Sequence, residues 1–241
     1  MLAVKSSLPV WKKSTTILRY LSTNIPEIYK DKTGLHKIET SHTNPMKLFH
    51  EWFQEHIGPN QDDQFYKVCC FATASKNGEV SSRSLILRRL DEDGVVVHTD
   101  GRSLKSKNIS ENPQASLVFL WNKKISDRNF TRQVRMKGSV EKLAEQDNNE
   151  IFEKEPLFAK IRSLICHQGS EVSWEELKKT HDQVLLKYHS NNDTLLRPDH
   201  TISYKIHPQY MEFYETYGPK IGDRILYTKS GQMWNITRIA A

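Results

Sequence analysis

The chain has 241 residues, of which 37% are hydrophobic and 27% are charged, a composition typical of soluble globular proteins. No apolar run approaches the roughly 18 residues that a membrane-spanning helix needs, so we expect no membrane contact. The 35 lysines and arginines face 29 acidic residues, a formal net charge of +6, and the two signs are interleaved along the chain. That distribution favours a small anionic ligand and argues against a nucleic-acid partner.

Residues 1–43 are predicted to form a basic leader followed by an extended arm. Residues 1–26 contain four basic residues and no acidic one, together with many hydroxyl and apolar side chains. This composition is typical of a mitochondrial presequence, and it is also typical of a disordered N-terminal arm. The predicted location of the protein is therefore mitochondrial or cytoplasmic.

A helix is predicted to begin at Asn44 and Pro45 and to end at Gly58. Asparagine is a good N-cap residue, and proline fits the first helical position. Large side chains recur at helical spacing and would form one face, which consists of Leu48, Phe49, Trp52, Phe53, His56 and Ile57. We expect this face to pack on the core, and we expect no site on this helix.

The rest of the chain has the pattern of many short strands interrupted by short helices. Strands are predicted at residues 64–75, 79–89, 95–99, 115–121, 133–143, 201–207, 211–215, 224–229 and 233–239. Helices are predicted at 144–153, 158–166 and 174–188, a polar loop at 122–131, and a tight turn at 91–94 with Gly94 at positive φ. Short strands with tight turns favour a closed antiparallel barrel, so the predicted fold class is α+β, mainly antiparallel β.

The stretch from Ser81 to Pro113 has the pattern of an anion-binding site. Arg83 and Arg88 lie on a predicted strand, and Thr99 and Lys105 flank the start of a predicted helix. Backbone N–H groups at a helix start favour phosphate, and arginine offers a bidentate fork. The alternative is a solvated hairpin with surface charges, and spacing alone leaves both interpretations open.

Several short motifs together resemble one known family. The stretch Arg83-Ser-Leu-Ile-Leu-Arg88 is followed by His98-Thr99, Ser103-Leu-Lys105 and Glu111-Asn-Pro113. Further matches are Arg132-Gln-Val134, Gln168-Gly-Ser170, Met211-Glu-Phe-Tyr214 and Gly222-Asp-Arg224. In order and spacing these motifs resemble the pyridoxamine/pyridoxine 5′-phosphate oxidases, and the likeness covers about residues 44–241.

The resemblance implies a split β-barrel that binds flavin mononucleotide (FMN) and works as a homodimer. It assigns the FMN-binding domain to residues 44–241, with a core at 64–143 and dimerisation strands at 201–241. It also implies an oxidase that converts pyridoxamine or pyridoxine 5′-phosphate to pyridoxal 5′-phosphate with O2 and releases H2O2, a reaction of vitamin B6 metabolism. In such an enzyme the flavin supplies the redox chemistry, while the protein binds and orients it.

Carried over position by position, the resemblance also implies the site residues. Arg83 and Lys105 would pair with the FMN phosphate, and Arg224 would approach the flavin ring. Gln133 and Gln168 would reach the cofactor from the partner subunit. The full cofactor-binding set is Arg83, Ser84, Leu85, Ile86, Arg88, His98, Thr99, Lys105, Gln133, Gln168, Tyr214 and Arg224, and the substrate-binding set is Arg88 and Lys220. The resemblance assigns neither a catalytic residue nor a metal ligand.

The chain departs from the family pattern mainly on the substrate side. The family binds the substrate phosphate with a tyrosine, an arginine and a serine, and here those positions are Ile151, Glu155 and Ala159. Glu155 would repel a phosphate, and Gly222 stands where the family has a histidine. Replaced positions on the cofactor side are Arg88, His98, Leu104 and Tyr214. Two alternatives to the oxidase are therefore a diverged relative that binds FMN or pyridoxal phosphate with little turnover, and an FMN oxidoreductase with another substrate.

Overall fold

The fold is built around an antiparallel β-sheet that closes into a barrel. The computed structural model describes residues 32–57, 67–190 and 194–241. Its strands are β1 (Gly34–Leu35), β2 (Val68–Ala74), β3 (Val80–Asp91), β4 (Gly94–Asp100), β5 (Gln114–Ile125), β6 (Arg128–Lys142), β7 (Thr201–Tyr217), β8 (Lys220–Ile221), β9 (Asp223–Ser230) and β10 (Met233–Ile239). Its helices are α1 (Pro45–Ile57), α2 (Leu104–Glu111), α3 (Glu145–Glu153), α4 (Leu157–Ile165) and α5 (Trp174–Ser190).

Six strands close the barrel in the order β7-β4-β3-β2-β5-β6, and β6 then pairs back onto β7. All of these pairings are antiparallel. The first part of β7 pairs with β4 and its later part pairs with β9, so one long strand serves both the barrel and its extension. Strands β9 and β10 continue the sheet beyond the barrel. This architecture confirms the predicted α+β fold with a mainly antiparallel split barrel.

Aromatic side chains fill the barrel interior. Phe71, Phe119 and Phe213 are fully buried there, because successive residues of a strand point to opposite faces of the sheet. Helix α1 packs onto them, with the ring centroids of Phe49 and Phe119 5.1 Å apart and those of Trp52 and Phe213 5.2 Å apart. Each such pair adds about 0.5–1.5 kcal/mol beyond the burial of its surface.

Helix α1 begins as the sequence predicts. The backbone N–H of Met46 donates to Asn44 Oδ1 at 2.9 Å, so Asn44 caps the helix. All six side chains of the predicted apolar face are buried, which confirms that the helix belongs to the core. The predicted stop at Gly58 lies outside the described residues.

The strands predicted at 201–207 and 211–215 are one continuous strand, β7. Pro208, which has no N–H to donate, lies opposite Gly138 where the register between β6 and β7 shifts. At this irregularity the ladder does not need a hydrogen bond from residue 208, so the strand can continue on both sides of the proline. The prediction of two separate strands was wrong for this reason.

The loop predicted at 122–131 is a β-hairpin. Strand β5 continues to Ile125 and β6 begins at Arg128, which leaves Ser126 and Asp127 as the turn. These two residues have positive φ values of 48° and 62°, as a two-residue type I′ turn requires. The prediction was wrong because a strand with one face in solvent tolerates many polar side chains.

Gly94 is required by a close approach between strands. It forms the predicted turn with Asp91, but it does not adopt positive φ, so that part of the prediction was wrong. A Cβ at this position would lie 2.3 Å from the carbonyl oxygen of Ile206 on β7. Only glycine lets the two backbones lie this close.

Helices α3, α4 and α5 lie between β6 and β7, close to their predicted bounds. None of the helices in the described residues is long and apolar enough to cross a membrane. The predicted leader at residues 1–26 lies outside the described residues. The predicted domain boundaries remain predictions.

Candidate functional site

A cavity of about 300 Å³ opens between β3, β4 and α4. Strand β3 contributes Ser84, Leu85 and Arg88 to its lining, and β4 contributes His98 and Thr99. Cations, hydroxyls and apolar groups therefore meet in one concave space, as they do in many small-molecule sites. Together with Gln168, six of the predicted site residues come together here.

Arg83 precedes the lining residue Ser84 on β3 but does not itself line the cavity. Uncharged acceptors hold its guanidinium. It donates to the carbonyl oxygen of Phe71 at 3.2 Å, to Thr73 Oγ1 at 3.0 Å and to Ser81 Oγ at 2.5 Å. These contacts orient the guanidinium without neutralising its charge. An arginine in this state is suited to bind a phosphate.

Lys105 supplies a second cation near Arg83, at the start of α2. Only 3% of the residue is exposed, and its Nζ donates to Ser103 Oγ at 3.0 Å and to Gln168 Oε1 at 2.7 Å. Burial, followed by the charge of Arg83, lowers the pKa of Lys105 from 10.5 to about 8, and Asp100 acts in the opposite direction. Two neighbouring cations that are partly removed from water favour the binding of an anion.

The N-terminus of α2 adds backbone donors to this group. Ser103 lies at the N-cap position, but its side chain does not cap the helix. Its hydroxyl donates instead to the carbonyl oxygen of Asp100 at 2.7 Å. The first N–H groups of α2 therefore receive no side-chain cap from Ser103, and such groups suit a phosphate oxygen.

His98 lines the cavity as a neutral imidazole. Its Nδ1 lies 2.7 Å from Ser203 Oγ, and its buried Nε2 has no hydrogen-bond partner within the described parts of the chain. Burial lowers the pKa of His98 to about 4, and the charges of Arg88, Arg197 and Arg162 act in the same direction. The ring can therefore form a hydrogen bond with a ligand without adding a charge.

Arg88 is paired with Glu155 at the cavity wall. Its Nε lies 2.5 Å from Glu155 Oε1 and its Nη2 donates to Oε2 at 2.7 Å, with 18% and 4% of the two side chains exposed. Burial lowers the pKa of Arg88 and raises the pKa of Glu155, while the opposite charge of each partner counteracts the shift. The sequence-based view of Glu155 as a direct repulsion was incomplete, because its charge is balanced by Arg88.

Helix α4 and its flanking residues present a row of side chains, of which the motif comparison had named only Glu155 and Ala159. Glu155, Ala159, Arg162, Ser163 and Cys166 all line the cavity. Their spacing puts them on one helical face. That spacing is visible in the sequence and could have identified Arg162 and Ser163.

Three predicted site residues lie elsewhere, in a row across neighbouring strands. Gln133 of β6 pairs with Tyr214 of β7, and Tyr214 pairs with Arg224 of β9. The guanidinium carbon of Arg224 lies 5.3 Å from the centroid of the Tyr214 ring. None of the three lines the cavity. Within one chain, the predicted site is therefore divided into two parts. One is the cavity group, which consists of the predicted residues that line the cavity together with Arg83 and Lys105. The other is this strand row.

Gln168 belongs to the cavity group. It lines the cavity, and its Oε1 accepts the hydrogen bond from Lys105 of the same chain. The sequence assigned Gln168, like Gln133, to the partner subunit. The segment after α4 instead brings Gln168 to Lys105 of its own chain. Of these two glutamines, only Gln133 lies apart from the cavity of its own chain.

Tyr214 explains why residue 222 is a glycine. A Cβ on Gly222 would lie 2.5–2.6 Å from Cε2, Cζ and the hydroxyl oxygen of Tyr214. The ring therefore fills the space that any side chain at this position would enter. The tyrosine and the glycine form one local arrangement, so a histidine at residue 222 would require Tyr214 to move.

Comparison with known proteins decides the family. The family model described as pyridoxamine 5′-phosphate oxidase matches residues 64–185, which is just over half of the chain. The chain belongs to the pyridoxamine 5′-phosphate oxidase family. A pyridoxine/pyridoxamine 5′-phosphate oxidase of Trichormus variabilis is 30% identical over 220 residues, which cover 90% of this chain and 98% of that protein. One from Salinibacter ruber is 30% identical over 200 residues, which cover 82% and 89% of the two chains.

Solved structures confirm the fold. PhzG from Burkholderia lata, in complex with tetrahydrophenazine-1-carboxylic acid, has a TM-score of 0.73 at 22% identity and covers 91% of this chain and 98% of its own. A pyridoxamine 5′-phosphate oxidase-related, FMN-binding protein from Nostoc punctiforme has a TM-score of 0.62 at 16% identity, with coverages of 82% and 97%. These likenesses show the split-barrel fold alone. Oxidoreductase activity is supported at the level of the pyridoxamine 5′-phosphate oxidase family.

The cavity group fits the phosphate of FMN, the cofactor that the pyridoxamine 5′-phosphate oxidase resemblance implies. Arg83 and Lys105 carry charges that no carboxylate of the described residues neutralises by a direct hydrogen bond. The N-terminus of α2 lacks a side-chain cap beside them. A dianionic phosphate would satisfy both features at once.

Two residues of the predicted set lie away from the cavity. Ile86 pairs with Val68 on β2, and Lys220 pairs with Gly34 on β1. Neither lines the cavity of its own chain. Lys220 follows the end of β7, and its predicted role on the substrate stays a prediction.

Proposed function

We propose that this protein is an FMN-dependent oxidase of the pyridoxamine 5′-phosphate oxidase type. Its substrates would be pyridoxamine or pyridoxine 5′-phosphate, and its products pyridoxal 5′-phosphate and H2O2. One observation carries the proposal: Arg83 and Lys105, both without a carboxylate hydrogen-bond partner among the described residues, adjoin residues that line a cavity of about 300 Å³. Arg83 precedes the lining residue Ser84 on β3, and Lys105 donates to the lining residue Gln168. Membership of the family supports the same conclusion.

The chain's own residues bind and orient the cofactor. Arg83 and Lys105 bind its phosphate through charge-assisted hydrogen bonds, each worth about 1.5–3 kcal/mol. Gln168 holds the ammonium group of Lys105 in position, and the Thr99 hydroxyl is available to the phosphate or the ribityl chain. FMN, when bound, would supply the redox chemistry of the oxidase.

We further propose that the complete site forms at a homodimer interface. The strand row of Gln133, Tyr214 and Arg224 lies outside its own cavity. The Nε of Arg224 is buried without a hydrogen-bond partner among the described residues, and buried donors are seldom left without an acceptor. In the dimer this row would face the flavin bound by the partner subunit.

A second candidate is an FMN oxidoreductase with another substrate, or an FMN- or pyridoxal-phosphate-binding protein with little turnover. A specific observation favours it. Glu155 forms an ion pair with the guanidinium of Arg88, so this guanidinium is not available to a substrate phosphate. In addition, Ile151, Ala159 and Gly222 carry no side-chain group that could bind a phosphate.

One experiment separates the candidates. The purified protein is incubated with FMN, freed from unbound flavin, and mixed with pyridoxine 5′-phosphate in air while peroxide is measured. The proposal predicts one bound flavin per chain and the release of peroxide. Bound flavin without peroxide would exclude the oxidase and leave the second candidate. Absence of bound flavin would exclude every FMN-dependent function.

A further inference from the structure

Two arginines line the cavity, and they are in different states. Arg88 is held by both oxygens of Glu155. Arg162, on α4, also lines the cavity, but its side chain forms no hydrogen bond or ion pair with any residue that the structure describes. The two guanidinium groups therefore differ in their availability to a ligand.

The charge of Arg162 acts on the interior of the cavity. It lowers the pKa of Arg88 and of His98, and it lowers the pKa of Glu155 against the larger effect of burial. Arg162 lies on the same helical face as Ala159, and both line the cavity. The guanidinium is thus close to the cavity wall while the residue stays exposed to solvent.

The balance of charges at this end of the cavity singles out Arg162. Arg88 and Glu155 cancel each other, and the carboxylate of Asp100 is paired with Arg102 at 2.7 Å. Among the described residues that line the cavity, this leaves the charge of Arg162 without a counter-ion. A dianionic group that enters the cavity is attracted to this guanidinium.

We propose that Arg162 binds the phosphate group of the substrate and so determines its specificity, while Arg88 remains paired with Glu155. This inference rests on the proposed function, and it assigns a residue to the second phosphate of that site. A guanidinium can hold a phosphate through two parallel hydrogen bonds. Because Arg162 is exposed, water screens the contact and the gain in affinity is at the lower end for a charge-assisted bond.

The test uses the FMN-loaded protein and a pair of inert ligands. These are 4-deoxypyridoxine 5′-phosphate and 4-deoxypyridoxine, which differ only in the phosphate and carry a methyl group where the substrate is oxidised. Dissociation constants are measured by calorimetry for wild type, Arg162→Ala and Arg162→Lys. Lys160→Ala is the matched control, because Lys160 carries the same charge on the same helix but does not line the cavity.

We expect Arg162→Ala to lower the affinity for the phosphorylated ligand by about tenfold. The affinities for the unphosphorylated ligand and for FMN should change by less than about twofold. Arg162→Lys should recover part of the loss, and Lys160→Ala should resemble wild type. Equal affinities of wild type and Arg162→Ala for the phosphorylated ligand would overturn the inference. So would an equal loss for both ligands. If Arg162→Ala selectively loses affinity for the phosphorylated ligand but wild type releases no peroxide with pyridoxine 5′-phosphate, the proposed oxidase fails while the role of Arg162 stands.

Discussion

Arg88 and Glu155 form a two-point ion pair in the wall between two cavities. The Nε–Oε1 distance is 2.5 Å and the Nη2–Oε2 distance is 2.7 Å. Both residues line the candidate site and also a second cavity of about 310 Å³ on the side of α3. The pair therefore closes one end of the site, and it removes from that end a cation that a phosphate could otherwise use.

Glu155→Gln is expected to have opposite effects on stability and on anion binding. Arg88 loses its counter-ion in a largely buried position, so the free energy of unfolding should fall by about 1–3 kcal/mol. The same change frees the charge of Arg88, so the FMN-loaded protein should bind 4-deoxypyridoxine 5′-phosphate more tightly than wild type does. Thermal unfolding and calorimetry measure the two effects.

Glu153→Gln is the control for this prediction, since Glu153 is an exposed carboxylate at the end of α3. It should change neither quantity appreciably. A Glu155→Gln protein as stable as wild type would mean that the ion pair does not form in solution.

Lys105 should make the affinity for FMN depend on pH. Its pKa is about 8 in the folded protein, and a bound phosphate favours the protonated form. The affinity should therefore fall as the pH rises above about 8, by at most tenfold per unit. The lysine binds its proton less tightly in the folded chain than in the unfolded one, so the stability of the flavin-free protein should rise between about pH 8 and pH 10.5.

Fluorescence titration of FMN between pH 7 and pH 9.5 measures the first effect. Lys105→Arg is the control, because arginine stays charged throughout this range and should give a flat profile. The same slope in wild type and in Lys105→Arg would assign the pH dependence to another group.

Gly222→Ala should disturb Tyr214. The added methyl group would lie within 2.6 Å of the tyrosine ring, so we expect a loss of about 1–3 kcal/mol in the free energy of unfolding. In the double variant with Tyr214→Ala the methyl group has room, and the two effects should not add. Additive effects of the two substitutions would contradict the contact.

The strand row and the cavity group should complement each other across subunits. Arg83→Ala and Arg224→Ala should each weaken FMN binding in a pure dimer. Equal amounts of the two variants are then unfolded together and refolded. Each mixed dimer contains one site in which both arginines are intact, so about one quarter of all sites should again bind FMN tightly. Failure to recover any tight site would place both arginines in the site of the same chain.

Much of the fold could be predicted because it depends on local patterns. The apolar face of α1 has a spacing that only a core helix explains, and its cap at Asn44 is a local signal. The errors occurred where tertiary contacts decide. Pro208 is accommodated by an irregularity in the pairing with β6, and Gly94 is fixed by its distance from Ile206 on another strand.

The candidate site could be predicted only in part. Arg83, Thr99 and Lys105 fall within one short stretch, so their order along the chain indicated a common role. The pairing of Arg88 with Glu155 joins residues that are 67 positions apart, and it depends on how α4 lies against β3. No pattern within a single segment encodes that contact, and the same holds for Tyr214 against Gly222.

The central claim is that Arg83 and Lys105 hold the phosphate of FMN, and an FMN titration followed by flavin fluorescence tests it most directly. We predict one site per chain in wild type, and an affinity at least about tenfold weaker in Arg83→Ala, with little change in the unfolding temperature. Lys107→Ala, which removes an exposed charge from α2, should bind FMN like wild type. Absence of binding to wild type, or equal binding by wild type and Arg83→Ala, would contradict the account.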